Sequence, residues 1–369
     1  MRDGAVKGTA VALVPPGLES ALVAELAEMG VAAKVEPGGA AFDADSDVIA
    51  RVNRGSRLAI RVLLRVGTCG AGTLDELARG LAGMPWKALV VPEQPIDVDV
   101  SLRTSKLRKD AVEKKIALAI GDALRGPRLP GPRPPREPAL ISVRIEGNRA
   151  AISVDTSGER LTIRGWREAT AKAPLRENLA AAVLRVVGWT PAMALVDPMC
   201  GSGTFVIEAA RIAAGLPPRL PRVYAFERAP GLRGPPEALQ VPSRAAPPLL
   251  WGSDRDAGGV KAATANAVRA KVRERVRFEV AQFEDLEPPA PTGLLIANPP
   301  WGMRIGDADR VPWSRWGERV RSTWGGWKVA LVVPADIDVR RQGWPVQGVA
   351  SFESGGVRVR VVAGDVPPG

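Results

Sequence analysis

From Ala194 onward the chain alternates short apolar runs with helical patterns, and this alternation constrains the fold more than any other feature. Ala194 to Asp197, Leu249 to Asp254, Val276 to Val280, Leu294 to Ala297 and Val329 to Val333 read as strands. Thr204 to Ala214, Val260 to Arg269 and Arg319 to Thr323 read as helices among them. Strands that alternate with helices are joined by crossovers that return the chain in the same direction, which predicts a mostly parallel, doubly wound α/β sheet. Such sheets bind ligands outside the carboxyl ends of their strands. A further helix is expected at Leu175 to Val187, and the Pro- and Arg-rich stretch Leu216 to Pro248 interrupts the alternation as a lid or a disordered insertion.

Three of the expected strand ends carry chemistry. After the first comes Asp197-Pro198-Met199-Cys200-Gly201-Ser202-Gly203-Thr204. Gly201 and Gly203 let the backbone approach a ligand, and the amides that open the following helix favour its anionic groups. The loop is neither a P-loop nor a dinucleotide G-x-G-x-x-G. After the second comes Gly252-Ser253-Asp254-Arg255-Asp256, where Asp254 suits the hydroxyls of a ribose. Leu294 to Ala297 ends in Asn298-Pro299-Pro300-Trp301. The Asn298 amide oxygen and the Pro299 carbonyl, aimed by proline rigidity, can accept both hydrogens of an exocyclic base amine, while Trp301 stacks on the base. Each motif alone also suits an ordinary glycine-rich or Asn-Pro turn. All three in this order describe one pocket for two ligands. Cys200 is a candidate nucleophile for pyrimidine-C5 chemistry, but its place in the loop favours a small packed residue that faces the cofactor.

The first half is organised differently. Residues 1–66 read as a small α+β module: a strand at Ala10 to Val14, a helix with Leu18, Leu22, Leu26 and Met29 on one side, a strand pair, a second helix and the basic strand Leu58 to Val66. Residues 67–158 form a second module with a helix at Lys109 to Leu124 and a hairpin on the Gly147-Asn148 turn. Gly126 to Pro138 is either a boundary or a long internal loop, and 159–173 is a polar, basic linker. Arg103, Lys106, Arg108 and Lys109, with Ser101, Thr104 and Ser105 nearby, are either a solvated face or a phosphate-contacting surface.

A net charge of +11 over 369 residues, with a sequence pI near 10.2, makes nucleic acid the expected partner, since such an excess attracts polyanions. A generally Arg-rich chain with an unspecialised basic surface would show the same sum. Histidine is absent, which excludes every mechanism built on an imidazole base. With two cysteines, Cys69 and Cys200, it also argues against a metal site and against a disulfide framework. The amino terminus lacks the apolar core of a signal peptide, and no apolar run has membrane-spanning length, so a cytoplasmic protein is expected. Trp313, Trp316, Trp324, Trp327 and Trp344 lie among arginines and suit either stacking on unpaired nucleotides or burial in the layer over the sheet.

The three motifs together resemble the class I S-adenosylmethionine-dependent RNA methyltransferases that carry a THUMP domain. The guanine-N2 methyltransferases of 23S rRNA are nearest, and the tRNA guanine-N2 enzymes are close to them. Gly17-Leu18-Glu19 through Gly30, Leu161 to Trp166, and Ala173-Pro174-Leu175-Arg176-Glu177 extend the resemblance over nearly the whole chain. It implies a Rossmann-like methyltransferase domain over 174–369, preceded by a ferredoxin-like module (1–66) and a THUMP domain (67–158). Asp197, Gly201 and Gly203, with Cys200 and Thr204 in the same loop, would then hold the methionine end of S-adenosylmethionine, Asp254 its ribose, and Asn298 and Pro299 the target amine under Trp301. The family usually places an Asp beside the adenine where this chain has Gln282, with Glu284 and Asp285 nearby, and a Tyr or Phe where it has Trp301. The function implied is methylation of guanine N2 in structured rRNA or tRNA. Adenine-N6 methylation of RNA or DNA, and an inactive RNA-binding or assembly protein, are the other readings.

Overall fold

The computed structural model describes residues 7–125, 137–168, 175–232, 249–300 and 312–368. They form two compact units: 7–14, 22–161 and 221–232 in the first, and 15–21, 162–220 and 249–368 in the second, within the described ranges. Trp301 and residues 233–248 lie outside the described residues.

The first unit runs β1 (Gly8–Leu13), α1 (Glu19–Glu28, its first turn counted with the second unit), β2 (Ala33–Glu36), β3 (Gly39–Ala44), α2 (Ser46–Gly55), β4 (Arg61–Gly70), α3 (Leu74–Ala82), α4 (Trp86–Leu89), β5 (Ile96–Arg103), α5 (Lys109–Leu124), β6 (Ala139–Glu146) and β7 (Arg149–Asp155). Two of these helices start where the sequence supplies caps: Asp45 accepts the Val48 amide at the head of α2 and Thr73 accepts the Glu76 amide at the head of α3. Helix α5 buries Val112, Ile116, Ile120 and Leu124, one side chain per turn on one face. All seven strands make one sheet in the order β2-β3-β1-β4-β7-β6-β5. Its first four strands, in β-α-β-β-α-β sequence, have ferredoxin-like connectivity. Strand β4 continues across residues 66 and 67, with a register shift between Arg65 and Gly67, pairing with β1 over Arg61 to Leu64 and with β7 on both sides of that shift, so the two expected modules share a strand.

The second unit runs α6 (Glu177–Val186), β8 (Leu195–Asp197), α7 (Thr204–Ala213), then β9 (Leu250–Asp254), α9 (Ala257–Arg269), β10 (Arg277–Val280), β11 (Leu294–Ala297), α10 (Trp313–Thr323), β12 (Lys328–Pro334), β13 (Gln347–Ser354) and β14 (Val357–Asp365). Helix α8 (Ala225–Arg228), which lies between α7 and β9 in the chain, belongs to the first unit. The sheet order is β10-β9-β8-β11-β12-β14-β13, parallel from β10 to β12 and closed by an antiparallel hairpin. The doubly wound expectation holds. The β13–β14 hairpin was not anticipated, although Val357-Arg358-Val359-Arg360-Val361 alternates as a strand should.

Two further segments depart from their reading. Residues 221–232, part of the expected lid or disordered insertion, are packed into the first unit: the Phe226 amide donates to the Thr156 carbonyl at 2.9 Å, the Gly231 amide to the Ala88 carbonyl at 2.7 Å, and Arg54 pairs with Glu227. Residues 162–168 of the expected linker are built into the second unit, with Arg164 and Trp166 buried. Trp324 and Trp327 are fully buried with ring centroids 5.0 Å apart, and the buried Trp344 donates its indole N–H to the Trp313 carbonyl. Burial in the covering layer, rather than nucleotide stacking, accounts for these three.

Candidate active site

The strand order of the second sheet reverses between β8 and β11, and this is the switch point at which open α/β sheets leave a crevice for ligands. Asp197 ends β8, Asp254 ends β9 on one side of it, and Asn298 follows β11 on the other. Registers of Leu295 opposite Val196 and Asp197 opposite Gly252 bring all three to the same edge of the sheet. The three strand-end motifs read from the sequence therefore converge.

The glycine loop is held in shape through its backbone amides. The Gly201 amide donates to Asp254 Oδ2 at 2.8 Å, the Cys200 amide to the Ser253 carbonyl at 2.9 Å, and the Gly203 amide to the Cys200 carbonyl at 2.7 Å. Gly203, at φ +85°, opens α7 without a side-chain cap, so the first-turn amides of that helix are not satisfied by a capping side chain. A Cβ on Gly203 would lie 3.0 Å from both Ala263 and Phe278, and one on Gly252 would lie 2.7 Å from Phe278. These glycines let α9 and β10 press against the back of the loop.

Asp197 is buried, and burial pushes its carboxyl well above the usual range; the nearby Asp254 adds to the rise and a bond from the Met199 amide opposes it. A buried acid beside a second carboxylate suits a cationic ligand group such as an ammonium. Burial, reinforced by Asp197 and Asp254, likewise pushes the Cys200 thiol well up. A protonated, enclosed thiol is no nucleophile, which fits the packing role read from the sequence.

Next to Asp254 lies an open cleft of about 670 Å³ lined by Arg255, Asp256, Val280, Ala281, Gln282 and Asp285. It has the volume of a small-molecule site. Gln282 is exposed there beside Asp285, whereas Glu284 turns away and accepts the Trp316 indole N–H at 2.9 Å. Of this lining, Arg255 and Asp256 stand in the motif that ends β9, whereas Val280 and Ala281 carry no ligand-facing signal in the sequence. Among the described residues no group of His, Cys, Asp and Glu is arranged to hold a metal ion.

Residues 164–332 match the RMKL-like methyltransferase domain and residues 9–63 the RlmL ferredoxin-like domain. A putative RNA methyltransferase of Synechocystis is 32% identical over 337 residues, covering 86% of each chain. The chain belongs to the RMKL-like methyltransferase family. The ribosomal RNA large subunit methyltransferase K/L of Syntrophotalea carbinolica is 35% identical over 87% of this chain, which spans about half of that relative (48%). A solved structure described as a putative methyltransferase complexed with SAH has a TM-score of 0.83 at 25% identity, covering 97% of this methyltransferase and 98% of that chain. A possible methylase from Clostridium difficile 630 has a TM-score of 0.84 at 27% identity, with 99% of both chains covered.

S-adenosylmethionine is the cofactor of this methyltransferase. The buried Asp197 beside Asp254, with the open cleft next to Asp254, is chemically compatible with a group that carries a cationic end and a nucleoside. Thr204 is the first residue of α7, and its hydroxyl accepts a bond from Arg167 at 2.6 Å. Pro299 is buried and Asn298 half-buried directly after β11. In the first unit Arg103, Lys106, Arg108 and Lys109 are all exposed, at the end of β5 and the start of α5. Arg108 is paired with Asp110 and Lys109 with Glu113.

Proposed function

We propose that this methyltransferase transfers a methyl group from S-adenosylmethionine to the exocyclic N2 of a guanine in structured RNA, either 23S rRNA or tRNA. The observation that carries the reading is the placement of Asn298 directly after β11, across the switch point from the Asp197 and Asp254 strand ends. One relative is named a ribosomal RNA large subunit methyltransferase and another a putative RNA methyltransferase, which supports RNA as the substrate. The first unit acts as ferredoxin-like and THUMP modules that hold RNA through its backbone, with Arg103, Lys106, Arg108 and Lys109 as phosphate contacts. A cytoplasmic location accords with this substrate; among the described residues no helix is long and apolar enough to cross a membrane.

Bound S-adenosylmethionine supplies an activated methyl group. Asp197 and the Gly201–Gly203 loop hold the methionine end, Asp254 the ribose, and Gln282 with Asp285 face the adenine. Guanine N2 is a weak nucleophile because its lone pair is delocalised into the ring. Asn298 Oδ1 and the Pro299 carbonyl accept its two hydrogens, align the nitrogen with the methyl, and favour the transition state in which positive charge develops on it. The N2 proton then passes to water, so no histidine is needed. A paired base must first leave the helix, at a cost of a few kcal/mol that stacking on Trp301 partly offsets.

A second reading, adenine-N6 methylation, is favoured by one solved structure: a predicted N6-adenine-specific DNA methylase from Listeria monocytogenes has a TM-score of 0.83 at 27% identity, with 96% of both chains covered. Incubation with labelled cofactor and separately purified unmodified tRNA, large-subunit rRNA and DNA, followed by nucleoside identification, decides. N2-methylguanosine in RNA is expected. N6-methyladenosine would transfer the assignment to the second reading, and transfer to none of the three would return the chain to the inactive, RNA-binding reading.

A further inference from the structure

Behind the glycine loop lies a group of charged side chains that the mechanism above leaves unused. Arg164 and Glu208 form an ion pair at 3.0 Å with both side chains fully buried. Beside them, Arg167 lies 3.1 Å from Glu177 on α6 and 5.8 Å from the ring centroid of Trp166. One of its terminal nitrogens makes two hydrogen bonds, to the Leu175 carbonyl at 2.8 Å and to Thr204 Oγ1 at 2.6 Å. The segment is anchored on its other side as well, because Arg269 of α9 donates to the Trp166 carbonyl at 3.0 Å.

Arg167 therefore bridges α6 and the first residue of α7. Thr204 directly follows Gly203, whose left-handed backbone aims the loop at the strand ends. A threonine hydroxyl at the first helical position commonly turns back to local backbone groups; here it faces the guanidinium instead. A guanidinium bonded to a carbonyl and a hydroxyl, with the Glu177 carboxylate close to its Nε as an ion-pair partner, has little freedom of position.

We propose that Arg167 is a positioning residue for the cofactor: through Thr204 it fixes the start of α7, and with it the Gly201–Gly203 loop, in the geometry that receives S-adenosylmethionine. The inference rests on that loop being the cofactor site. Arg167 touches neither reactant, so its loss weakens cofactor binding and leaves the transfer step largely intact once the site is filled.

The test is calorimetric binding of S-adenosylmethionine and S-adenosylhomocysteine to the full chain, without RNA, so that the choice of target base does not enter. Loss of a charge-assisted hydrogen bond predicts about tenfold weaker binding for Arg167→Met and for Thr204→Val. Thr204→Ser, which restores the acceptor, recovers most of the Thr204→Val loss, and the double variant binds no worse than the weaker single one. In turnover, KM for the cofactor rises while kcat at saturation moves far less. Wild-type binding by Arg167→Met, or losses that multiply in the double variant, or a fall in kcat with unchanged binding, would overturn the proposal. If Arg167→Met does not fold, the comparison of Thr204→Val with Thr204→Ser decides. Asp254→Ala is measured in parallel. Wild-type binding there removes the cofactor assignment and this inference together; a loss there, with none in the Arg167 and Thr204 variants, removes the inference alone.

Discussion

The Gly201 amide donates to Asp254 Oδ2 at 2.8 Å, tying the glycine loop after β8 to the end of β9. The two motifs are thus one structural piece, and the carboxylate read as a ribose ligand also sets the shape of the loop. Asp254→Ala removes both roles, and S-adenosylmethionine binding is expected to weaken by more than tenfold, the effect of one charge-assisted bond. Calorimetric titration checks this.

Gly203→Ala combines a left-handed backbone with a Cβ placed 3.0 Å from Ala263 and Phe278. Strain and overpacking together predict a stability loss of about 1–3 kcal/mol, read from urea unfolding, together with weaker cofactor binding.

Asp197 is the site's clearest trade-off. Its folded carboxyl titrates above the ordinary value of about 3.9, chiefly through burial. The protonated form is the one the fold tolerates, so its contribution to stability is complete below the unfolded value and is lost as pH rises through the raised one. Asp197→Asn is accordingly expected to raise the melting temperature of the cofactor-free protein at neutral pH by a few degrees, to flatten that pH-dependent decline, and to weaken cofactor binding. Thermal scans across pH with and without S-adenosylmethionine give all three readings; an unchanged pH profile would remove the buried charge as its source.

Asn298→Ala withdraws one acceptor from the target amine. Loss of one preorganised hydrogen-bonding group lowers turnover by about 10²–10³-fold in comparable sites, and a rate near wild type would end the role assigned to Asn298.

The four basic residues of the first unit are not equivalent. Arg103 and Lys106 are exposed, while Arg108 already engages Asp110 and Lys109 engages Glu113. Arg103→Ala and Lys106→Ala are expected to weaken RNA binding alike across sequences and to reduce the slope of log affinity against log salt by about one each, with a smaller effect from Arg108→Ala. Filter binding over a range of salt concentrations distinguishes this from a general charge effect.

The sequence by itself determined the alternation of strand and helix after Ala194, the parallel sheet that follows from it, and the three motifs that end its strands. These are local properties: hydrophobic period, capping residues and turn chemistry act over a few neighbouring positions, and the residue types of a ligand-facing turn stand together in the chain. The tertiary structure decided which strand ends adjoin, because the order β9-β8-β11 places Asp254, Asp197 and Asn298 side by side although they are far apart in sequence. It likewise decided that 221–232 packs in the first unit, that Trp324 and Trp327 fill a core rather than meet a nucleotide, and that Arg167 reaches Thr204. Those outcomes depend on which distant surfaces bury one another and which charge finds a partner on excluding water, and no local pattern in the chain records them.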